Sequence, residues 1–114
     1  MTEPRYTLHY TPADYFDALD PGKDYTPPDY EREGFIHCTD GVAGMVATAN
    51  RFYAADPRPF VVLTVDLDAL SVPWRYDDPE RRFPHVYGPL DRSAVLGVVA
   101  IPRAADGTFL AFEP

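Results

Sequence analysis

The sequence is short of cysteine, of long apolar runs and of positive charge, and each shortage excludes something. Its single cysteine, Cys38, allows no internal disulfide. A secreted disulfide scaffold is therefore excluded, and a reducing compartment is expected. The longest apolar runs, such as Phe60-Val61-Val62-Leu63, fall far short of the roughly 20 residues that cross a bilayer as a helix. Met1-Thr2-Glu3-Pro4-Arg5 lacks the basic and apolar regions of a signal peptide. Together these absences predict a cytoplasmic protein with no membrane partner. Lys and Arg total 10 against 18 Asp and Glu, giving a net charge of −8. Such a surface repels phosphate backbones and argues against a nucleic-acid partner. Arg75, Arg81 and Arg82 are the exception, close enough together for a local anion site. No Gly-rich phosphate loop follows a strand pattern, so classical dinucleotide and nucleoside-triphosphate motifs are absent. There is no internal repeat, linker or low-complexity segment.

What is present suffices for a core. Hydrophobic residues make up 46% of the 114 positions and aromatic ones 14%, which is enough to fold without a partner. The length fits one domain, residues 1–114. Thirteen prolines imply short elements with rigid connections.

Arg5 to Tyr10 alternates and is aromatic and β-branched, which predicts a first strand. Thr11-Pro12 has the order of an N-cap and a first helical residue, so a short helix is expected over Ala13 to Leu19. Lys23 to Arg32 has no periodicity and is read as a loop, either a plain connection or a lid. Gly34 to Cys38 predicts a second strand. Thr39 and Asp40 are good N-caps for a helix over Gly41 to Ala55, with Val42, Met45, Val46, Ala49, Phe52 and Tyr53 on its apolar face. Pro59 to Leu67 is the clearest strand, and its β-branched content suits a central position. Val72 to Tyr76 is a further strand, which Pro73 puts at an edge. Phe83 to Leu90 is extended, Ser93 to Ile101 is a strong strand, and Asp106-Gly107 signals a hairpin with Thr108 to Phe112 pairing back. Helices early and strands late indicate an α+β fold with mostly antiparallel sheet and two helices.

Three histidines stand in distinct motifs: His9 in Leu8-His9-Tyr10-Thr11, His37 in Gly34-Phe35-Ile36-His37-Cys38-Thr39, and His85 in Phe83-Pro84-His85-Val86-Tyr87-Gly88-Pro89. Strand ends and strand-to-helix junctions are places where sites are built. Imidazole serves there as donor, acceptor, acid, base or metal ligand. Each could equally be a half-buried histidine bonded to a backbone carbonyl. The expectation is that all three line one small-molecule site. Three imidazoles could hold zinc, yet none of them are paired at the i, i+2 or i, i+4 spacing of ligands from one element, so no metal is expected. Cys38 precedes a helix N-terminus, as a nucleophile would; its alternative is a small buried apolar residue. The helix start at Thr39 and Asp40, with Arg51 on the polar face, could hold a phosphate. Asp77, Asp78 and Glu80 could supply a carboxylate base or only solvate a turn.

Gly34 to Thr39, Ala49-Asn50-Arg51-Phe52-Tyr53 and Phe83 to Leu90, in this order and spacing, resemble the bacterial family called domain of unknown function 952. The resemblance runs from about Arg5 to Ile101. Thr39 stands where serine is commoner there, Ala43 near a usual glutamine, and Asp77 near a usual glutamate. That family is distantly similar to the ADP-ribosyltransferase fold, and to its RNA 2′-phosphotransferase branch in particular. The resemblance implies a small split antiparallel β-sheet domain that binds NAD or a related nucleotide and transfers ADP-ribose. It implies that His9 contacts the dinucleotide and that His37 with Thr39 faces the nicotinamide ribose. With Asp77 as the local candidate carboxylate, His37, Thr39 and Asp77 are the expected catalytic residues; Tyr10, Arg51, Phe83, His85 and Tyr87 are expected beside His9 as cofactor contacts from their own surroundings. Two alternatives stand beside it: a non-catalytic nucleotide or small-molecule binding module, and a histidine-metal-dependent enzyme.

Overall fold

The computed structural model describes residues 5–114. Met1 to Pro4, read above for a signal peptide, lie outside the described residues. In chain order the elements are β1 (Tyr6–Pro12), α1 (Ala13–Asp17), α2 (Tyr30–Glu33), β2 (Ile36–His37), α3 (Val42–Tyr53), β3 (Phe60–Asp66), β4 (Trp74–Tyr76), β5 (Pro84–Val86) and β6 (Val95–Ala100). The strands form two three-stranded sheets, β1-β3-β6 and β2-β5-β4, and every pairing is antiparallel.

The central strand of the first sheet is β3, as its β-branched run predicts. Its residues alternate between two cores. Phe60 and Val62 meet Leu8, Met45, Ala49 and Phe109. Leu63 and Val65 meet Tyr25, Ile36, Val86 and Leu90. Both faces are covered, so β3 reads as an apolar run with only Thr64 and Asp66 interrupting it. Burying each such side chain stabilises the fold by roughly 1.5–3 kcal/mol. Helix α3 covers one face with Met45 and Ala49 buried and Val42 and Tyr53 half-buried, at helical spacing; Phe52, expected on this face, is exposed instead. Pro73 lies just before β4, an edge strand of the second sheet.

Four expectations need correction, and for the first two a tertiary partner overrides a local signal. Thr11 and Pro12 do not start a helix; they continue β1, opposite Val61 and Phe60. Neither Thr39 nor Asp40 caps α3, which begins after Gly41 at φ 82° with no side-chain cap. Thr39 instead exchanges two backbone hydrogen bonds with Leu8, and the Asp40 carboxylate accepts from the Tyr76 hydroxyl. The non-periodic loop contains α2, so there are three α-helices and not two. Gly34 ends α2 at φ 81°, and its N–H donates to the Tyr30 carbonyl at 2.7 Å. The last hairpin has a single bridge, Arg103 with Phe109, and no strand over Thr108 to Phe112.

Two backbone contacts anchor connections around the sheets. The Leu8–Thr39 pair bonds β1 to the chain just after β2, at 3.0 and 2.7 Å. Tyr25, fully buried, exchanges backbone hydrogen bonds with Leu90 at 2.9 and 2.8 Å and pins the long connection before α2. Among the described residues no helix is long and apolar enough to cross a membrane.

Candidate functional site

The short second sheet builds the site by strand alternation. Ile36 and Val86 are cross-strand partners and point into the core. The next residues, His37 and His85, also pair, and Arg75 stands opposite His85 on β4. Side chains alternate across a strand, so this row lies on the opposite face, with Phe35, Tyr87 and Asp77 two residues along. The His37 and His85 rings meet edge to face with centroids 5.2 Å apart. Phe35 stacks on His85 at 4.2 Å and 22°, and touches His37 at 4.7 Å.

Each of these imidazoles is held by a carboxylate. His85 Nδ1–H donates to Asp77 Oδ2 at 2.8 Å. His37 Nε2–H donates to Glu33, brought alongside by α2 and the Gly34 turn. A carboxylate that is ionised can only accept, so these bonds fix which ring nitrogen carries the proton. Asp77 also accepts from the Tyr87 hydroxyl and, at 2.7 Å, from Arg75 Nε. The Tyr87, Arg75 and His85 donors hold its carboxyl down at about 2. Arg75 in turn lies over the Tyr87 ring at 4.5 Å.

His9 is placed differently. It is buried, its Nδ1–H donates to the His37 carbonyl at 2.6 Å, and its Nε2 accepts from the Tyr25 hydroxyl at 2.8 Å. Burial lowers its pKa to about 4, so the ring is neutral at pH 7. The three histidines are thus neighbours of unequal freedom. His37 and His85 each keep one ring nitrogen without a partner among the described residues, whereas His9 has both engaged.

A cleft of about 1050 Å³ opens beside this cluster. The end of β1 (His9, Tyr10), β2 (His37) with Thr39, helix α3 (Arg51), and the β4–β5 turn (Asp77, Phe83) with His85 all contribute to its wall. Of the residues expected at the site, Tyr87 alone is not part of that wall; it reaches the cluster through Asp77. Tyr10 packs against Tyr53 at 5.3 Å, and burial raises its phenol well above the ordinary value. Thr39 is buried, with its methyl 3.2 Å from where a Cβ on Gly44 would stand. Arg51 is exposed on the cleft wall, lies over the Phe52 ring at 5.2 Å and has no carboxylate partner among the described residues. The other reading of Cys38 as a nucleophile has no support: the thiol is buried, and burial pushes its pKa up. Among the described residues no three His, Cys, Asp or Glu side chains are grouped to hold a metal ion.

Sequence reasoning missed Glu33, Phe35 and Tyr25. Glu33 had a signal, standing four residues before His37 with a turn-forming glycine between them. Phe35 had one also, because it shares His37's face at strand spacing. Tyr25 had none, since nothing in Lys23 to Arg32 shows which side chain enters the core.

Among solved structures the fold is similar to protein CC0527 from Caulobacter crescentus and to its double mutant. These are 23% and 22% identical, each with a TM-score of 0.75 over 93% of this chain and 94% of theirs. No curated protein matches. The motifs around His37 and His85 lie within a segment, residues 10–98, that matches the profile of a single family. The chain belongs to that family, described as Protein of unknown function (DUF952).

Proposed function

We propose that the cleft binds a nucleotide, NAD or a related dinucleotide, and transfers ADP-ribose from it. The observation that carries this reading is the cleft itself. At about 1050 Å³ it is at the top of the roughly 300–1,000 Å³ range of small-molecule sites, a size that suits a dinucleotide. Its wall offers Phe83, Phe35 and Tyr10 to a base or nicotinamide ring, and Arg51, without a carboxylate partner among the described residues, to a pyrophosphate. Two small antiparallel sheets meeting at the site are also what the ADP-ribosyltransferase resemblance implies, although a fold does not by itself carry a function. Transfer from NAD passes through a cationic sugar that needs positioning and charge stabilisation. Titration with NAD tests the reading, by calorimetry or by NMR shifts of cleft residues. Binding is expected; none at millimolar concentration overturns it.

One observation favours a second reading, that of a binding module without turnover. Asp77, the carboxylate expected beside the sugar, already accepts from Tyr87, Arg75 and His85. Incubation with NAD separates the two, since only the enzyme releases nicotinamide.

A further inference from the structure

Transfer of ADP-ribose to a hydroxyl or to water requires a group that takes the acceptor's proton. Resting on the nucleotide reading above, we propose that His85 is that general base and that Asp77 is its positioning residue. His85 Nδ1–H is committed to Asp77 Oδ2 at 2.8 Å. In its neutral form the ring therefore presents a lone pair on Nε2, and Nε2 has no partner among the described residues. His85 lines the cleft. Its side chain is 18% exposed, against 57% for His37, so it is shielded from solvent yet reachable.

The ring is held on three sides. Asp77 bonds one edge, Phe35 stacks on a face at 4.2 Å, and His37 abuts it at 5.2 Å. Asp77 is itself fixed by Arg75 and Tyr87. An imidazole oriented by a carboxylate that is oriented in turn is the arrangement that general-base catalysis uses. The equivalent pair at His37 is more open to solvent, its ring being more than half exposed. The carboxylate expected to act directly on substrate is in this way placed behind the imidazole.

The step balances. The acceptor oxygen forms a bond to the anomeric carbon of the nicotinamide ribose. The glycosidic C–N bond breaks, and its electron pair goes to the nicotinamide nitrogen, which passes from cation to neutral. The acceptor's proton moves to His85 Nε2 and is later lost to water. With water as acceptor the products are ADP-ribose, nicotinamide and a proton. The titratable and charged groups around His85 are Asp77, Asp78 and Arg75 from β4 and its turn, Tyr87 just after β5, His37 on β2 and Glu33 from α2.

The test is nicotinamide release from NAD by the full chain, followed across the pH range in which imidazole titrates. In the wild type kcat falls on the acid side with the loss of one proton acceptor. His85→Gln is expected to lower kcat by about 100-fold or more and to abolish that limb, with calorimetric NAD affinity retained. Asp77→Asn is expected to lower kcat while KM stays unchanged. A second measurement needs no variant: nitrogen NMR of the wild-type imidazoles should show His85 protonated at Nδ1. A His85→Gln protein with unchanged kcat and pH profile, or a wild-type His85 protonated at Nε2, overturns the assignment and leaves the nucleotide reading standing. Wild-type binding without nicotinamide release overturns it in favour of a binding module. Absence of NAD binding removes both.

Discussion

His9 and His85 each donate through Nδ1, and the partner of the other nitrogen separates a core residue from a reactive one. In His9 that nitrogen accepts from Tyr25 inside the protein, and burial disfavours the charged ring. Its folded pKa is lowered to about 4 from 6.5. The unfolded chain then binds the proton more tightly than the folded one between these values. Stability from this group is complete above about pH 6.5 and is lost as pH falls toward 4, by about 3 kcal/mol in all. Urea denaturation of wild type and His9→Gln across this range checks it; the variant should be less stable at pH 7 and lose the pH-dependent component. Cys38 follows the same logic of burial. Its thiol is expected to resist a thiol-specific reagent in the native protein and to react once the chain is unfolded. Rapid labelling of the native protein would contradict its buried place. Of these residues the sequence singled out His9, His37 and His85, but not which nitrogens are free. That depends on Tyr25, Glu33 and Asp77, partners far away in sequence or hidden in unpatterned segments.

Elements with long periodic patterns were legible, and the short ones were not. Strand β3 and helix α3 stand close to their expected ranges because many residues repeat the same signal. Strand β2 has two residues, β4 and β5 three each, and α2 four, too few for periodicity to speak. Their geometry comes from register and from turns such as Gly34. That glycine adopts φ 81°, and a Cβ there would meet nothing within 4 Å. Gly34→Ala should therefore cost only the left-handed backbone penalty, about 1 kcal/mol, with no clash added. Because Gly34 joins Glu33 to the strand bearing His37, the substitution should also disturb the His37–Glu33 pair. A chemical-denaturation shift of that size, with altered His37 imidazole NMR shifts, is expected; a much larger loss would mean that the turn is packed and not merely strained.

At the scale of the molecule, the cleft is walled by pieces that few local contacts tie together: the end of β1, helix α3, the α2 region and the β4–β5 turn. The Leu8–Thr39 bridge, the Tyr25–Leu90 pair and the core in which Leu63 and Val65 meet Ile36 and Val86 help hold the two sheets in place around it. A split antiparallel arrangement could be inferred from the order of elements, but the second sheet's attachment could not, since one member of each linking pair, Thr39 and Tyr25, lies outside the strands that sequence patterns reveal. A ligand filling this cleft would join all four regions at once and would bind the folded state alone. At a concentration about 100 times its Kd, such a ligand adds about 2.7 kcal/mol of stability. For a domain of this size that corresponds to a rise in Tm of roughly 10 °C. A thermal melt of the chain with and without NAD reads this directly. The rise should shrink when Arg51→Ala removes the unpaired guanidinium from the wall, because Arg51 bonds no carboxylate and its loss leaves the unliganded fold intact. An unchanged Tm at saturating NAD would mean that the cleft serves a different ligand.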